Sequence, residues 1–236
     1  MGGEANATGT SYITAPHEML GTFRIGTPLL TVTGNRTEPG GVATVRWDDD
    51  GVTPDEFALV KDGILHDLST TRESAVWFTE HYARTERPLR SHGCAHGAQD
   101  MLGRGITIPV GGVPNLQMAP GADGLDFNAC VAGVSKGIAF QRMAFNMDFQ
   151  QSNGMGSGDA FEIRNGKRVA RIQGAGTLLR AQDLWKSLTV VGGAQSRRRF
   201  GQYVIKGEPP QWHYYSASAV PAVFTNAAVI DVARRF

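Results

Sequence analysis

The 236-residue chain holds only two cysteines, Cys94 and Cys130. Two thiols do not make a disulfide framework, so a reducing, cytoplasmic compartment is the expectation. No apolar run approaches the roughly 20 residues that a membrane-crossing helix needs. The start of the chain, Met1 to Tyr12, is rich in Gly, Ala and Thr. It lacks the basic start and apolar centre of a signal peptide. Without such a signal, Asn6-Ala7-Thr8 and Asn35-Arg36-Thr37 read as chance matches to the glycosylation sequon. An excess of either charge is missing too. The 23 Lys and Arg against 22 Asp and Glu leave a net charge of +1. That excludes an electrostatic case for nucleic acid or an anionic membrane as partner.

Glycine, by contrast, is abundant, with 30 residues. It supplies positive φ at turns and bulges, so many turns and many strands are expected. A hydrophobic fraction of 41% supports a sizeable core. The chain reads as a flexible lead-in over 1–20 followed by one domain over 21–236. Asp62-Gly63 between Phe57–Lys61 and Ile64–Leu68 predicts a β-hairpin with a type I′ turn. Asn165-Gly166 between Ala160–Arg164 and Lys167–Ile172 predicts a second. Further strands are expected over Leu29–Thr33, over Val42–Trp47 and within Ala217–Val232. Thr70 with Glu73 fits a capping box, followed by a stripe of Ala75, Phe78 and Tyr82. Asp123 is expected to cap a second helix carrying Leu125, Ala129 and Ala132. Leu184, Leu188 and Val191 suggest a third, ending at Gly192-Gly193. The fold class is α+β, dominated by antiparallel β-sheets with a few helices.

Several segments stand in a characteristic order: Trp47-Asp48-Asp49-Asp50-Gly51, then Leu59-Val60-Lys61-Asp62-Gly63-Ile64-Leu65, then Pro114-Asn115-Leu116 with Pro120-Gly121, then Ile163-Arg164-Asn165-Gly166-Lys167. In that order they resemble the C-terminal domain of the TldD/PmbA family over roughly residues 21–231. This family includes proteins once described as gyrase modulators. The resemblance implies a fold like that domain. Active members look like zinc peptidases, with the metal held by His-Glu-x-x-x-His on a helix and by a cysteine near the C-terminus. Two neutral imidazoles and a thiolate hold the ion, and the glutamate acts on its bound water. Here the only His-Glu pair is His17-Glu18, followed at the relevant distances by Gly21 and Thr22, and no cysteine follows Cys130. The resemblance therefore implies no catalytic residue and no cofactor in this chain. It implies a peptide-processing protein that works as a homodimer, or as a heterodimer with a TldD-type zinc-bearing subunit. Two alternatives stay open. The chain is part of an active zinc metallopeptidase whose N-terminal half lies elsewhere, or it is a peptide-binding module without catalysis that takes an extended peptide by strand addition.

Other clusters offer chemistry of their own. In Ser91-His92-Gly93-Cys94-Ala95-His96-Gly97, an extended backbone would set His92, Cys94 and His96 on one face, a candidate metal-ligand set. The bland alternative is a glycine-rich loop. Trp212 and Tyr214, after Pro209-Pro210, are candidates for substrate binding, or for packing at a core edge or subunit interface. Asp48-Asp49-Asp50-Gly51 fails the calcium-loop spacing, which would need ligands at Arg46 and Phe57, and reads as a solvated turn. Arg197-Arg198-Arg199 reads as a solvated loop. Gly154-Met155-Gly156-Ser157-Gly158 lacks the Gly-Lys-Ser/Thr ending of a phosphate loop and reads as a flexible loop.

Overall fold

A computed structural model describes residues 11–97, 109–148, 150–206, 211–225 and 227–232. In chain order the strands are β1 (Val32–Asn35), β2 (Glu56–Lys61), β3 (Ile64–Leu65), β4 (Ala95–His96), β5 (Val110–Gly111), β6 (Asn115–Met118), β7 (Lys136–Met147), β8 (Asn153–Arg164), β9 (Lys167–Ile172), β10 (Ala175–Arg180), β11 (Leu188–Val191), β12 (Arg198–Lys206), β13 (Gln211–Ala219), β14 (Ala222–Phe224) and β15 (Ala228–Asp231). The helices are α1 (Pro16–Met19), α2 (Arg72–Ala75), α3 (Thr79–Arg84), α4 (Phe127–Val131) and α5 (Ala181–Lys186). The β-dominated α+β class expected from the sequence is therefore the one observed. No helix among the described residues is long and apolar enough to cross a membrane.

The chain forms two compact units. The first comprises 1–24, 30–119 and 198–219. Its main sheet has the order β12-β13-β6-β1-β2-β3, and β4 pairs with β5 in a small second sheet. Pairing is antiparallel except between β13 and β6. Leu20, Leu30, Phe57, Val60, Leu65, Phe78, Tyr82 and Met118 are buried in this unit. Within the expected lead-in, the described part folds, since Pro16 opens α1 and Leu20 is buried. Asn115 organises the sheet. Its Oδ1 accepts from Ala43 N at 2.9 Å and Ser216 N at 3.0 Å, and its Nδ2 donates to Asn35 O and Thr44 Oγ1, each at 3.0 Å. One fully buried amide thus joins β1, β6, β13 and the 36–44 loop.

The second unit comprises 25–29, 120–197 and 220–236. Its sheet runs β15-β10-β8-β7 with β9 also on β8, and β11 pairs with β14. Cys130, Val131, Ala160, Ile163, Leu188 and Val191 are buried here.

Both predicted hairpins form. Asp62 and Gly63 have φ of 50° and 78°, and Asn165 and Gly166 have 48° and 74°, as a type I′ turn requires. The Ala75, Phe78 and Tyr82 stripe is buried as expected, but the cap is one residue later, with Thr71 and Ser74 exchanging side-chain and backbone hydrogen bonds. Other expectations are corrected. Val42–Trp47 is not a strand. Its amides go to Ser216, Asn115, Gly41 and Arg36 instead of to a ladder. The strand expected over Leu29–Thr33 lies later, as β1, and Gly34 and Asn35 are inside it. The second helix is capped by Asp126, and it buries Cys130 and Val131 where Ala129 and Ala132 were expected. Leu188 and Val191 belong to β11, after α5 has ended.

The glycines of 154–158 are not a flexible loop but lie within β8. Gly154, Gly156 and Gly158 share one face of the strand, and the side chains of β7 lie across it. A Cβ on Gly156 would meet Phe145 Cε1 at 2.6 Å and Met143 Cε at 2.9 Å. Small residues are there because neighbouring large ones need the space.

Candidate functional site

The densest polar cluster in the first unit surrounds His92, in the loop before β4. Its Nδ1 faces Asp55 Oδ1 at 2.8 Å and its Nε2 faces Asp67 Oδ2 at 3.0 Å. Asp67, just after β3, is 0% exposed. It also accepts from Tyr82 Oη at 3.0 Å, Arg87 Nη1 at 2.7 Å and Leu68 N at 2.8 Å. Arg87 Nη2 in turn donates to His81 Nε2 at 2.8 Å. The sequence builds this from three local features. The apolar stripe of α3 buries Tyr82, the chain after α3 returns with Arg87, and Phe57 of β2 stacks on the His92 ring at 4.0 Å and 11°. Thr70 Oγ1 fixes the loop by accepting from His92 N at 3.0 Å.

The electrostatics follow from this geometry. Burial by itself would lower the His92 pKa, but hydrogen bonds to Asp55 and Asp67, and their charges, raise it to about 9. Burial would raise that of Asp67, but the hydrogen bond and charge of His92 reverse this and hold it below the usual range. Tyr82 is pushed up by burial and by the adjacent Asp67. His92 is thus an imidazolium with both nitrogens engaged by carboxylates. In that state it has no lone pair to offer a metal ion or a proton, and the cluster acts as a charged staple.

The candidate set His92, Cys94 and His96 is not brought together as ligands. His92 is engaged as described. Cys94 is buried, its Sγ lies 3.9 Å from His92 O, and burial raises its thiol pKa to about 12 despite nearby Arg36. His96 packs beside His213 of β13, with ring centroids 5.6 Å apart. Among the described residues no group of three or more His, Cys, Asp or Glu is placed to hold a metal ion.

The acidic turn is more than a solvated connection. Asp48 is buried and accepts from Asp50 N at 3.0 Å, Val52 N at 2.7 Å and Ala95 N at 2.9 Å. It thereby anchors the chain just after His92. Arg198 and Arg199 lie on β12 and not in a loop, and Arg199 pairs with Glu38.

Trp212 and Tyr214 lie on one face of β13, with Tyr203 of β12 directly opposite Tyr214. Trp212 and Tyr214 stack at 6.3 Å and 13°, and Tyr203 lies 5.3 Å from Trp212. Tyr203 and Tyr214 are each 58% exposed, and Ile205 opposite Trp212 is exposed as well. This apolar ladder adjoins β12, which ends the sheet and pairs only with β13 among the described strands. Asp55, Asp67 and Arg87 were not singled out from the sequence, and Tyr82 entered it only as part of a helical stripe, the one visible signal for the cluster.

The PmbA/TldA metallopeptidase C-terminal domain matches residues 1–230. Among solved structures, a protein from Thermotoga maritima described as a suggested modulator of a DNA gyrase aligns with a TM-score of 0.68 and 15% identity, over 97% of this chain and 44% of that one. A similarly described protein from Bacteroides thetaiotaomicron aligns with a TM-score of 0.57 and 16% identity, over 95% and 42%. TldE from Thermococcus kodakarensis aligns with a TM-score of 0.59 and 15% identity, over 94% and 45%. The chain thus spans less than half the length of these structures, and at such identities they share its fold. A comparison with curated proteins found no match. With the motif order, the sheet architecture and a match over nearly its whole length in agreement, the chain belongs to the TldD/PmbA metallopeptidase family, through that family's C-terminal domain.

Proposed function

We propose that this chain engages extended peptides together with a TldD-type zinc-bearing subunit, and supplies no catalytic group itself. The observation that carries the reading is the aromatic ladder of Tyr203, Trp212 and Tyr214 on β12 and β13, with β12 ending the sheet among the described strands. An edge strand offers main-chain donors and acceptors to a peptide, and flanking rings offer sequence-tolerant contact area. The non-catalytic part is supported by side-chain chemistry. His-Glu-x-x-x-His does not occur in the sequence, the His92 imidazolium is consumed by its carboxylates, and the Cys94 thiol is buried and protonated at neutral pH.

The test is a fluorescence titration of the purified chain with unstructured peptides, alongside a cleavage assay with and without a TldD-type partner. Tyr203→Ala and Tyr214→Ala should weaken peptide binding about tenfold each, in line with the loss of an aromatic anchor, while leaving the unfolding midpoint unchanged. Cleavage should need the partner. Cleavage by the purified chain alone, or peptide binding indifferent to both substitutions, sinks the proposal. A second reading is favoured by the matched span of 44% of the Thermotoga maritima structure. In it, this domain belongs to a longer metallopeptidase whose zinc helix lies on a preceding segment. An upstream coding sequence in frame, carrying His-Glu-x-x-x-His, would select it.

A further inference from the structure

Gly201 lies within β12, and its own surroundings in the chain do not account for it. Glycine in a strand interior weakens the strand, and it marks a bulge, a sharp bend or a close approach by a ligand or another backbone. No bulge is present, because Arg198 to Lys206 pair with Ala219 to Gln211 residue for residue without a shift of register. The φ of Gly201 is not in the positive region either. Close approach explains other strand glycines. A Cβ on Gly34, Gly137, Gly154, Gly156, Gly158 or Gly176 would meet another residue at 3.0 Å or less. A Cβ on Gly201 would meet nothing within 4 Å. What remains is a group from outside the chain.

The surroundings say what kind of group. Side chains alternate between the faces of a strand, so Gly201 shares its face with Arg199, Tyr203 and Ile205. Opposite Gly201 stands Ser216, next to the Tyr203–Tyr214 pair. Ser216 is small and buried, its Oγ accepting from Val42 N at 3.0 Å. The Gly201–Ser216 pair is therefore a low step beside two rings that are each 58% exposed.

The strand that carries this step is also unguarded. Exposed edges are normally blunted by charge, proline or a bulge. Strand β7 has a bulge between Gln141 and Ala144, with Arg142 at a φ of 50°. Strand β9 carries exposed Lys167, Arg168 and Arg171. From Phe200 to Ile205, β12 has no charge, no proline and no register shift, and it ends the main sheet among the described strands. A peptide strand added along it sets one residue beside Gly201 on the ladder face in any register that spans the site. An aromatic ring at that place covers the glycine, as cross-strand rings do. Within the chain, Phe145 of β7 covers Gly156 of β8 in this way.

Resting on the peptide reading above, we propose that Gly201 is a specificity-determining subsite, which admits an aromatic side chain of the bound peptide over Gly201 and against Tyr203. The ligand class is an extended peptide with an aromatic residue, and the missing side chain at 201 sets the preference.

Fluorescently labelled Thr/Ser-rich peptides carrying one Phe, or Ala in its place, are titrated into the full chain and followed by anisotropy. The native chain should bind the Phe peptide about tenfold more tightly than the Ala peptide, the scale of burying one aromatic side chain. In Gly201→Val the methyl groups occupy the step, and the ratio of the two affinities should fall to about one. The unfolding midpoint of the variant should be no lower than that of the native chain, since the added side chain meets open space. A ratio near unity in the native chain, or a Phe preference that survives in Gly201→Val, overturns the subsite and leaves the peptide reading standing. A lowered midpoint overturns it too, because the glycine would then serve the fold. Binding of neither peptide removes both. Sedimentation of the same samples tests the competing occupant. A dimer that Gly201→Val dissociates, with no Phe preference, gives the edge to a second copy of the chain and overturns the assignment.

Discussion

Raising the pH should release the His92 staple, and the size of the effect can be worked from the geometry. His92 has an ordinary pKa of 6.5 and a folded value of about 9. A group whose pKa rises on folding adds stability that is complete below its unfolded pKa and lost as pH rises through its folded pKa. The window therefore runs from about pH 6.5 to 9.5. A rise of this size corresponds to roughly 3 kcal/mol of stability lost across the window, since each pKa unit is about 1.4 kcal/mol. Other groups titrate in the same range, so the informative quantity is a difference. Urea unfolding is followed by tryptophan fluorescence for the native chain and for His92→Gln at several pH values. At pH 6.5 the variant should be less stable by about 3–5 kcal/mol, the usual cost of breaking a buried charge pair. By pH 9.5 the gap should narrow by roughly 3 kcal/mol. A gap that stays constant across the window would refute the claim that His92 is held as an imidazolium between Asp55 and Asp67.

Other perturbations follow from single residues. Asn115→Ala strands the amides of Ala43 and Ser216 and the carbonyl of Asn35. It should cost about 3 kcal/mol by urea unfolding, since unsatisfied buried groups carry their full desolvation penalty. A loss below the error of the method would count against the amide as organiser of the sheet. Gly93→Ala places a Cβ 2.5 Å from Pro54 Cα at a residue with φ of +69°. A cost above about 2 kcal/mol is expected, read as a lower unfolding midpoint. Cys94 should react with iodoacetamide only on unfolding, because its thiol is buried and its pKa is raised to about 12. Mass spectrometry that finds Cys94 alkylated at the rate of a free thiol in the native chain at pH 8 would contradict that burial.

What the sequence disclosed was local. The Asp62-Gly63 and Asn165-Gly166 turns carry their geometry in two residues, so the hairpins were legible. The same holds for the Ala75, Phe78 and Tyr82 stripe, whose spacing is helical. Val42–Trp47 misled because alternation predicts a strand only if a ladder partner exists, and here Asn115 and Ser216 take two of the amides. The glycines of β8 misled for the converse reason. Their role lies in Met143, Phe145 and Met147 on the neighbouring strand, not in their own flexibility. The charged staple was invisible because Asp55, Asp67, Tyr82, Arg87 and His92 converge only through tertiary packing, and no spacing rule joins them. His92, Cys94 and His96 share a face only on a straight strand. The backbone is extended as a ladder only at Ala95–His96, and Gly93 just before it has φ of +69°.

The glycine face of β8 also bears on how the second unit folds. Long two-stranded pairings invite slippage, because a hairpin shifted by two residues keeps its inside and outside intact. Here β7 and β8 are both 12 residues long. Phe145 faces Gly156 and Met147 faces Gly154 in the native register. Shifting β7 by two residues toward the turn would bring Phe145 opposite Gly154 and push Met147 off the pairing, while the reverse shift carries Met147 onto Gly156, Phe145 onto Gly158 and the bulge near Arg142 onto Ala160. The stripe thus works as a ruler. Met147, Phe145 and the bulge at Gln141 and Arg142 lie over Gly154, Gly156 and Gly158 together at one alignment only, so a slipped hairpin loses at least one of the three fits.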